Sequence, residues 1–393
     1  MILLPLCKVT TAGISGKVWL FDSRTLYVHG YTVYRYNSNA PSDVEFSMPL
    51  WANNFWSDVS ILQTTPVALG DGYAKLNASS GEYIEAYKDD IDAIYGVSFG
   101  FASVQPYQEI RADVWMKLSI SKVDMSGVHS NDVGNISAIR NLLADYNTCV
   151  NETYYWDYSN PSVQQVIKEI NTTLGDSENV YDIIYATTSW FSKNMVYMEH
   201  EDYPNQRLKA SRVLNETLEA PGNQTKRYGV CRHFVDAFIA IMRGFGIPAH
   251  LFDGLVFYDM GGTVGVIFAG SHAWCEVYMP NLGWVPLEVT IPDELTRDVV
   301  RVGLISDYYY LPIYKEVINL GPKPAGQPTE PYQNLIASYW GWGVGEVPTG
   351  TLDGIIHAIT SVPVIDWILL VLIIALAIDG YMMRKKIEAL TRL

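Results

Sequence analysis

Apolar and polar residues alternate along EIRADVWMKLSISKV, residues Glu109–Val123. Ile110, Ala112, Val114, Met116, Leu118 and Ile120 fall on one side; apart from Trp115, the other side is polar. A period of two predicts a half-buried strand. Tyr31–Tyr36, Val59–Gln63 and Val97–Val104 are shorter candidates, separated by Gly, Asn, Ser and Pro. Several short strands with such breaks predict a β-sandwich-like, β-rich domain over residues 1–140.

From about residue 145 the period lengthens. Asn160-Pro161 offers an N-cap and a first-turn proline, and Val163, Val166, Ile167 and Ile170 then recur on one helical face. A second helix is predicted from near Glu178 to Met195, with Ile183, Thr187, Trp190 and Phe191 inward. A third opens at Cys231, buries Phe234, Val235, Phe238, Ile241 and Met242, and is ended by Gly244, Gly246 and Pro248. Strands follow between His250 and Thr290. Helices then strands predict an α+β domain over residues 145–315. Residues 316–360, rich in Pro and Gly and containing YWGWGVG at 339–345, read as a stalk or linker, with Tyr339, Trp340 and Trp342 near a lipid interface.

Val362–Met383, VPVIDWILLVLIIALAIDGYMM, is apolar on all faces and as a helix would be roughly 33 Å long, about one hydrocarbon core. Residues 361–383 are therefore expected to form a single transmembrane helix. Asp366 and Asp379 fall towards its ends. Arg384, Lys385 and Lys386 open a basic tail, residues 384–393, whereas no Lys or Arg lies between Lys323 and Arg384. The positive-inside rule puts that tail in the cytoplasm and the large domain outside the cell membrane. N-x-S/T triplets at Asn77, Asn135, Asn151, Asn171, Asn215 and Asn223 all precede the span and fit a glycoprotein. The opening MILLPLCKVTTAG is too short and weak for an export signal, so an outward-facing chain is expected to start further upstream. The rival is a tail-anchored protein facing the cytoplasm.

Composition narrows the partners. The 393 residues carry a net charge of −15 and only 18% charged residues, without the basic footprint that nucleic acid requires. Four cysteines, Cys7, Cys149, Cys231 and Cys275, form no CxxC pair and are too few for a disulfide-built scaffold.

The chemistry concentrates in two stretches. In YGVCRHFVDAFIAIMRGFGI, residues 228–247, Gly229 permits a turn and Cys231 heads a helix, where the partial positive charge favours thiolate and the first amides can face an oxyanion. In SHAWCEVYMPNLGWVPLEVT, residues 271–290, a strand from His272 to Met279 turns at Pro280–Gly283 and resumes at Trp284. A hairpin folded near residues 280–281 brings His272 opposite Glu288 or one ladder step from it, on the same face. There a carboxylate can fix the tautomer of a base whose other nitrogen meets the thiol. Alone, Cys231 and His272 are as well read as buried structural residues and Glu288 as an exposed strand-end charge; the combination carries the signal. A zinc site of Cys231, His233, His272 and Cys275 is disfavoured, because strand alternation turns Cys275 away from His272. No metal or cofactor is expected.

Gly229-Val230-Cys231, His272-Ala273-Trp274-Cys275-Glu276-Val277-Tyr278 and Gly283-Trp284-Val285-Pro286-Leu287-Glu288-Val289-Thr290 resemble the three motifs of transglutaminase-like domains. Such domains are a branch of the papain-like cysteine superfamily, and with the expected span the chain resembles a membrane-anchored member of prokaryotic type. Arg243-Gly244-Phe245-Gly246-Ile247-Pro248-Ala249 is similar to the segment that follows the helix in that family, and the resemblance covers about residues 155–310. It implies Cys231 as nucleophile, His272 as base, Glu288 as the third member, and Tyr197 as an aromatic group assisting the oxyanion hole. Glu288 and Val289 depart from the Asp-Pro usual there. The function implied is thioester-forming acyl transfer on peptide or protein amides, with a peptidase favoured. Crosslinking by a transglutaminase is the alternative, as is a non-catalytic surface module that binds peptide or glycan.

Overall fold

The computed structural model describes residues 18–52, 54–68, 94–199, 206–220, 224–260, 266–290, 303–304, 308–319 and 335–345. The strands of the N-terminal part are β1 (Trp19–Tyr36), β2 (Ser42–Ala52), β3 (Ser57–Ala68), β4 (Ile94–Val104) and β5 (Glu109–Asp124). Helices follow: α1 (Ser130–Val133), α2 (Ile136–Leu142), α3 (Tyr146–Val150), α4 (Pro161–Leu174) and α5 (Val180–Asn194). The remainder comprises β6 (Met195–Tyr197), α6 (Ala210–Asn215), β7 (Thr217–Ala220), β8 (Gln224–Gly229), α7 (Cys231–Gly244), β9 (Ala249–Asp259), β10 (Val266–Met279), β11 (Gly283–Leu287), β12 (Tyr308–Glu316) and β13 (Leu335–Val344).

The alternation along β5 is realised. Ile110, Ala112, Val114, Met116, Leu118 and Ile120 are all buried, in the middle of an antiparallel sheet ordered β13-β1-β5-β3. A two-stranded ribbon, β2-β4, adds Phe46, Phe99 and Phe101 to the core. A second four-stranded sheet, β11-β10-β9-β12, carries α7 against it, and β6-β8-β7 forms a small third sheet. Asn160 caps α4 by accepting from Ser162 N–H, and Val163, Val166 and Ile170 are buried as their spacing predicts. Along α7 every residue from His233 to Arg243 is buried, so its period marks a central helix enclosed on all sides.

Two charged side chains inside that enclosure are fully partnered. Asp236 accepts from Trp156 Nε1 at 2.7 Å and from Arg207 Nε and NH2 at 2.8 and 2.6 Å. Arg243 donates to the carbonyls of Ala249, Asn151 and Val317 and stacks on Trp156 at 4.2 Å. These bonds join the start of the α+β part, its central helix and the strand ends, and they replace the water each charge loses.

Two expectations change. Helices begin at Ser130, so α2 crosses the boundary expected at residue 140; helices this short show no full apolar period. Leu335–Val344 is a strand and not part of a stalk: it pairs with β1 from Val28↔Val344 to Tyr36↔Leu335. Its glycines, which resemble a linker in sequence, make room for large cross-strand partners. Gly341 stands opposite Tyr31, and a Cβ there would lie 2.5 Å from the Tyr31 hydroxyl. Gly30 in turn stands opposite Trp342, whose ring is 2.4 Å from where its Cβ would be. Tyr339 and Trp340 accordingly pair with Val33 and Thr32 in the sheet. The expected transmembrane helix and basic tail, with Cys7, Asn77 and Asn223, lie outside the described residues. Among the described residues no helix is long and apolar enough to cross a membrane.

Candidate active site

Cys231 is the first residue of α7, preceded by Val230 in extended conformation. The turn that delivers it depends on Gly229. A Cβ at Gly229 would lie 2.5 Å from the Cβ of His233, whose side chain folds back over the turn. His233 Nδ1 accepts the Val230 N–H at 3.1 Å, and its Nε2 donates to the Gln206 carbonyl at 2.8 Å. This histidine is thus a helix cap. Both ring nitrogens are engaged by backbone, away from any metal-ligand role.

His272 lies on β10 and Glu288 just beyond β11. The hairpin pairs Met279↔Gly283 through Cys275↔Leu287, so Glu288 falls two residues short of a position directly across from His272, on the same face. His272 Nε2 is 2.6 Å from Glu288 Oε2. That leaves Nδ1 for the hydrogen bond His272 makes with the Cys231 thiol. Glu288, only 7% exposed, is held on its other oxygen by the Thr290 N–H at 2.8 Å, and the Tyr310 hydroxyl donates to Oε2 at 3.2 Å. The extra methylene of glutamate is therefore accommodated: the carboxylate reaches the imidazole and three donors fix it.

Electrostatics follow from this geometry. Burial alone would push the Cys231 thiol up. The hydrogen bond and charge of His272, with an N–H from Ala273, outweigh it and leave the thiol below its ordinary value. Burial alone would push His272 down, yet the Glu288 carboxylate and the bond to Cys231 raise it to about 10. The two shifts describe a thiolate–imidazolium pair beside a carboxylate. Tyr197, 48% exposed at the end of β6, pairs with Gly229, and its hydroxyl bonds the thiol and backbone of Cys231. Partial burial and the nearby Cys231 push it up to about 12. Arg232 and Asp253 form an ion pair at the flank.

The structure thus brings Cys231, His272, Glu288 and Tyr197 together. It turns Cys275 away: this buried thiol points at the Leu287 carbonyl, 3.7 Å off, and burial raises it far above the usual range. Glu276, in the same motif as His272, is buried against His250 Nε2 at 2.8 Å and belongs to the core. The sequence offered His233 only as a zinc ligand and gave no role to Tyr310. His233 was legible as the third residue of a helix lacking a Ser, Thr, Asn or Asp cap. Tyr310 had no such signal.

Residues 164–289 match the transglutaminase-like superfamily, and the chain carries a transglutaminase-like domain there. Among curated relatives, an uncharacterised Bacillus subtilis protein, YebA, is 28% identical over 125 residues, 29% of this chain and 16% of that protein. A protein-glutamine gamma-glutamyltransferase of Pseudomonas aeruginosa is 29% identical over 90 residues, 22% of this chain and 14% of that protein. The chain thus spans well under a fifth of either relative's length. Among solved structures, a candidate cysteine protease of Cytophaga hutchinsonii aligns with 85% of this chain and 95% of its own at 13% identity and TM-score 0.48. The periplasmic domain of TgpA from Pseudomonas aeruginosa, in its ethylmercury complex, aligns with 72% and 99% at 12% identity and TM-score 0.31.

Proposed function

We propose that the chain is a cysteine acyl-transfer enzyme acting on peptide or protein amides through a thioester on Cys231. The hydrogen-bonded series Cys231, His272 and Glu288 at the head of α7 is the observation that carries this reading. The Cys231 thiolate attacks the amide carbonyl. The oxyanion that develops faces the first amides of α7 and the Tyr197 hydroxyl. The His272 imidazolium then passes its proton to the leaving amine, while Glu288 holds the ring in place. In the second half neutral His272 takes a proton from the incoming nucleophile, and the thioester is resolved.

Water as that nucleophile gives hydrolysis, which we favour because Cys231 is half-buried and Tyr197 beside it stands half in solvent. A primary amine gives crosslinking; the Pseudomonas relative is named a protein-glutamine gamma-glutamyltransferase. A non-catalytic binding module would have no use for a lowered thiol. We also place the large domain outside the cell membrane, held by residues 361–383, on the charge asymmetry around that segment.

The test is a glutamine-containing peptide incubated with parent and Cys231→Ala chains, with and without a primary amine, and read by mass. The parent should give a hydrolysed product, or an amine adduct when amine is present, and Cys231→Ala should give neither. Turnover surviving in Cys231→Ala would move the site elsewhere.

A further inference from the structure

We propose that Tyr310 is a positioning residue for the Cys231 site and that the N-terminal sheet holds it in place. The inference rests on the acyl-transfer reading above. Tyr310 is 2% exposed, and its hydroxyl donates to Glu288 Oε2, the same oxygen that His272 meets. Its ring lies edge-on to Trp274 at 5.2 Å and 6.3 Å from the His272 ring. A glutamate has one more torsion than an aspartate, so its carboxylate needs more fixed donors to stay aimed at an imidazole. Tyr310 supplies one from β12 and Thr290 another from backbone.

The same strand is gripped from the opposite side. The Tyr310 carbonyl accepts the indole N–H of Trp56, at the entrance to β3, at 2.6 Å. The next side chain along, Tyr309, faces the other way into the N-terminal sheet. Its hydroxyl donates to the Asp22 carbonyl at 3.1 Å and accepts from Arg24 Nε at 3.2 Å, and Lys122 stands 4.9 Å above its ring. Lys122 also meets Asp22 at 2.9 Å and Asp259 of β9 at 3.5 Å. Consecutive residues of β12 thus link the β-rich part to Glu288: Tyr309 is anchored in the first sheet, Tyr310 bonds the carboxylate, and Trp56 holds the Tyr310 carbonyl, in the peptide that leads on to Leu311. The β-rich part is a brace for the site.

The experiment is the pH dependence of Cys231 alkylation by iodoacetamide, read by peptide mass, in the parent, Tyr310→Phe, Trp56→Phe and Glu288→Gln chains. Tyr310→Phe removes one oxygen and keeps the ring. It should raise the alkylation midpoint by about half to one pH unit, slowing alkylation roughly three- to tenfold at pH values below both midpoints. Trp56→Phe should move the midpoint the same way by less, and Glu288→Gln by more. In peptide turnover Tyr310→Phe should lower kcat and leave KM in place, since the residue acts through Glu288 and not on substrate. A low midpoint in the parent with no change, or a fall, in Tyr310→Phe would overturn the inference and leave the function standing. A change in Tyr310→Phe but none in Trp56→Phe would overturn the brace. A parent midpoint at the value of an ordinary thiol would overturn inference and function together.

Discussion

At the residue scale the site is a contest between burial and pairing, and pairing wins. Burial raises Cys149 to about 12, with Asp145 adding to it and Arg243 and Lys315 too weak to offset it; burial, with the Glu288 and Glu276 charges, pushes Cys275 far up. Cys231 goes the other way because His272 is beside it, and His272 in turn because Glu288 is. The signs set the pH profile of kcat/KM on an amide. As pH falls through the lowered Cys231 midpoint the thiolate is protonated and the rate drops. As pH rises through about 10 the imidazolium is lost and the leaving amine has no proton. A plateau between these limbs is expected; an alkaline limb near the ordinary histidine value, about 6.5, would contradict the pairing. Cys231, His272 and Glu288 were legible because each stands in a short motif whose spacing places it on a helix start or a hairpin face. Tyr310 was not: three consecutive tyrosines, Tyr308, Tyr309 and Tyr310, look alike until the sheet shows which one faces Glu288.

At the element scale, period and turn residues told most where one face was buried and least where glycine carried the packing. The His272–Glu288 hairpin was readable to within two residues of register, since turn and alternation agree. Leu335–Val344 was not, because Gly341 serves a cross-strand tyrosine, a reason that lies elsewhere in the chain. Gly254 is a second such position. A Cβ there would lie 2.1 Å from the Leu311 carbonyl oxygen and 2.9 Å from Pro312 Cα, both backbone atoms that cannot swing aside. Gly254→Ala must part β9 from β12. A loss of about 1–3 kcal/mol is expected in denaturant titration, together with slower Cys231 alkylation because Tyr310 rides on β12. Parent-like stability would show that the two strands have slack the geometry denies.

At the scale of the whole molecule, two parts that read as separate domains share one core. Buried residues run without a break from Val28 and Met116 in the first sheet, through Phe252 and Leu311 in the second, to Phe234 and Phe238 on α7. Composition could not reveal this, because each part has apolar residues enough for a core of its own. Parts joined in this way should unfold together: far-UV circular dichroism and tryptophan fluorescence are expected to trace one coincident transition. Two separated transitions would mean that the β-rich part folds alone and braces nothing. The central claim remains the covalent one, that Cys231 takes the acyl group. Mixing the enzyme with a p-nitrophenyl ester should release a burst of about one equivalent of p-nitrophenol, with the acyl group found by peptide mass on Cys231. An adduct on another residue, or an equal burst from Cys231→Ala, would contradict it.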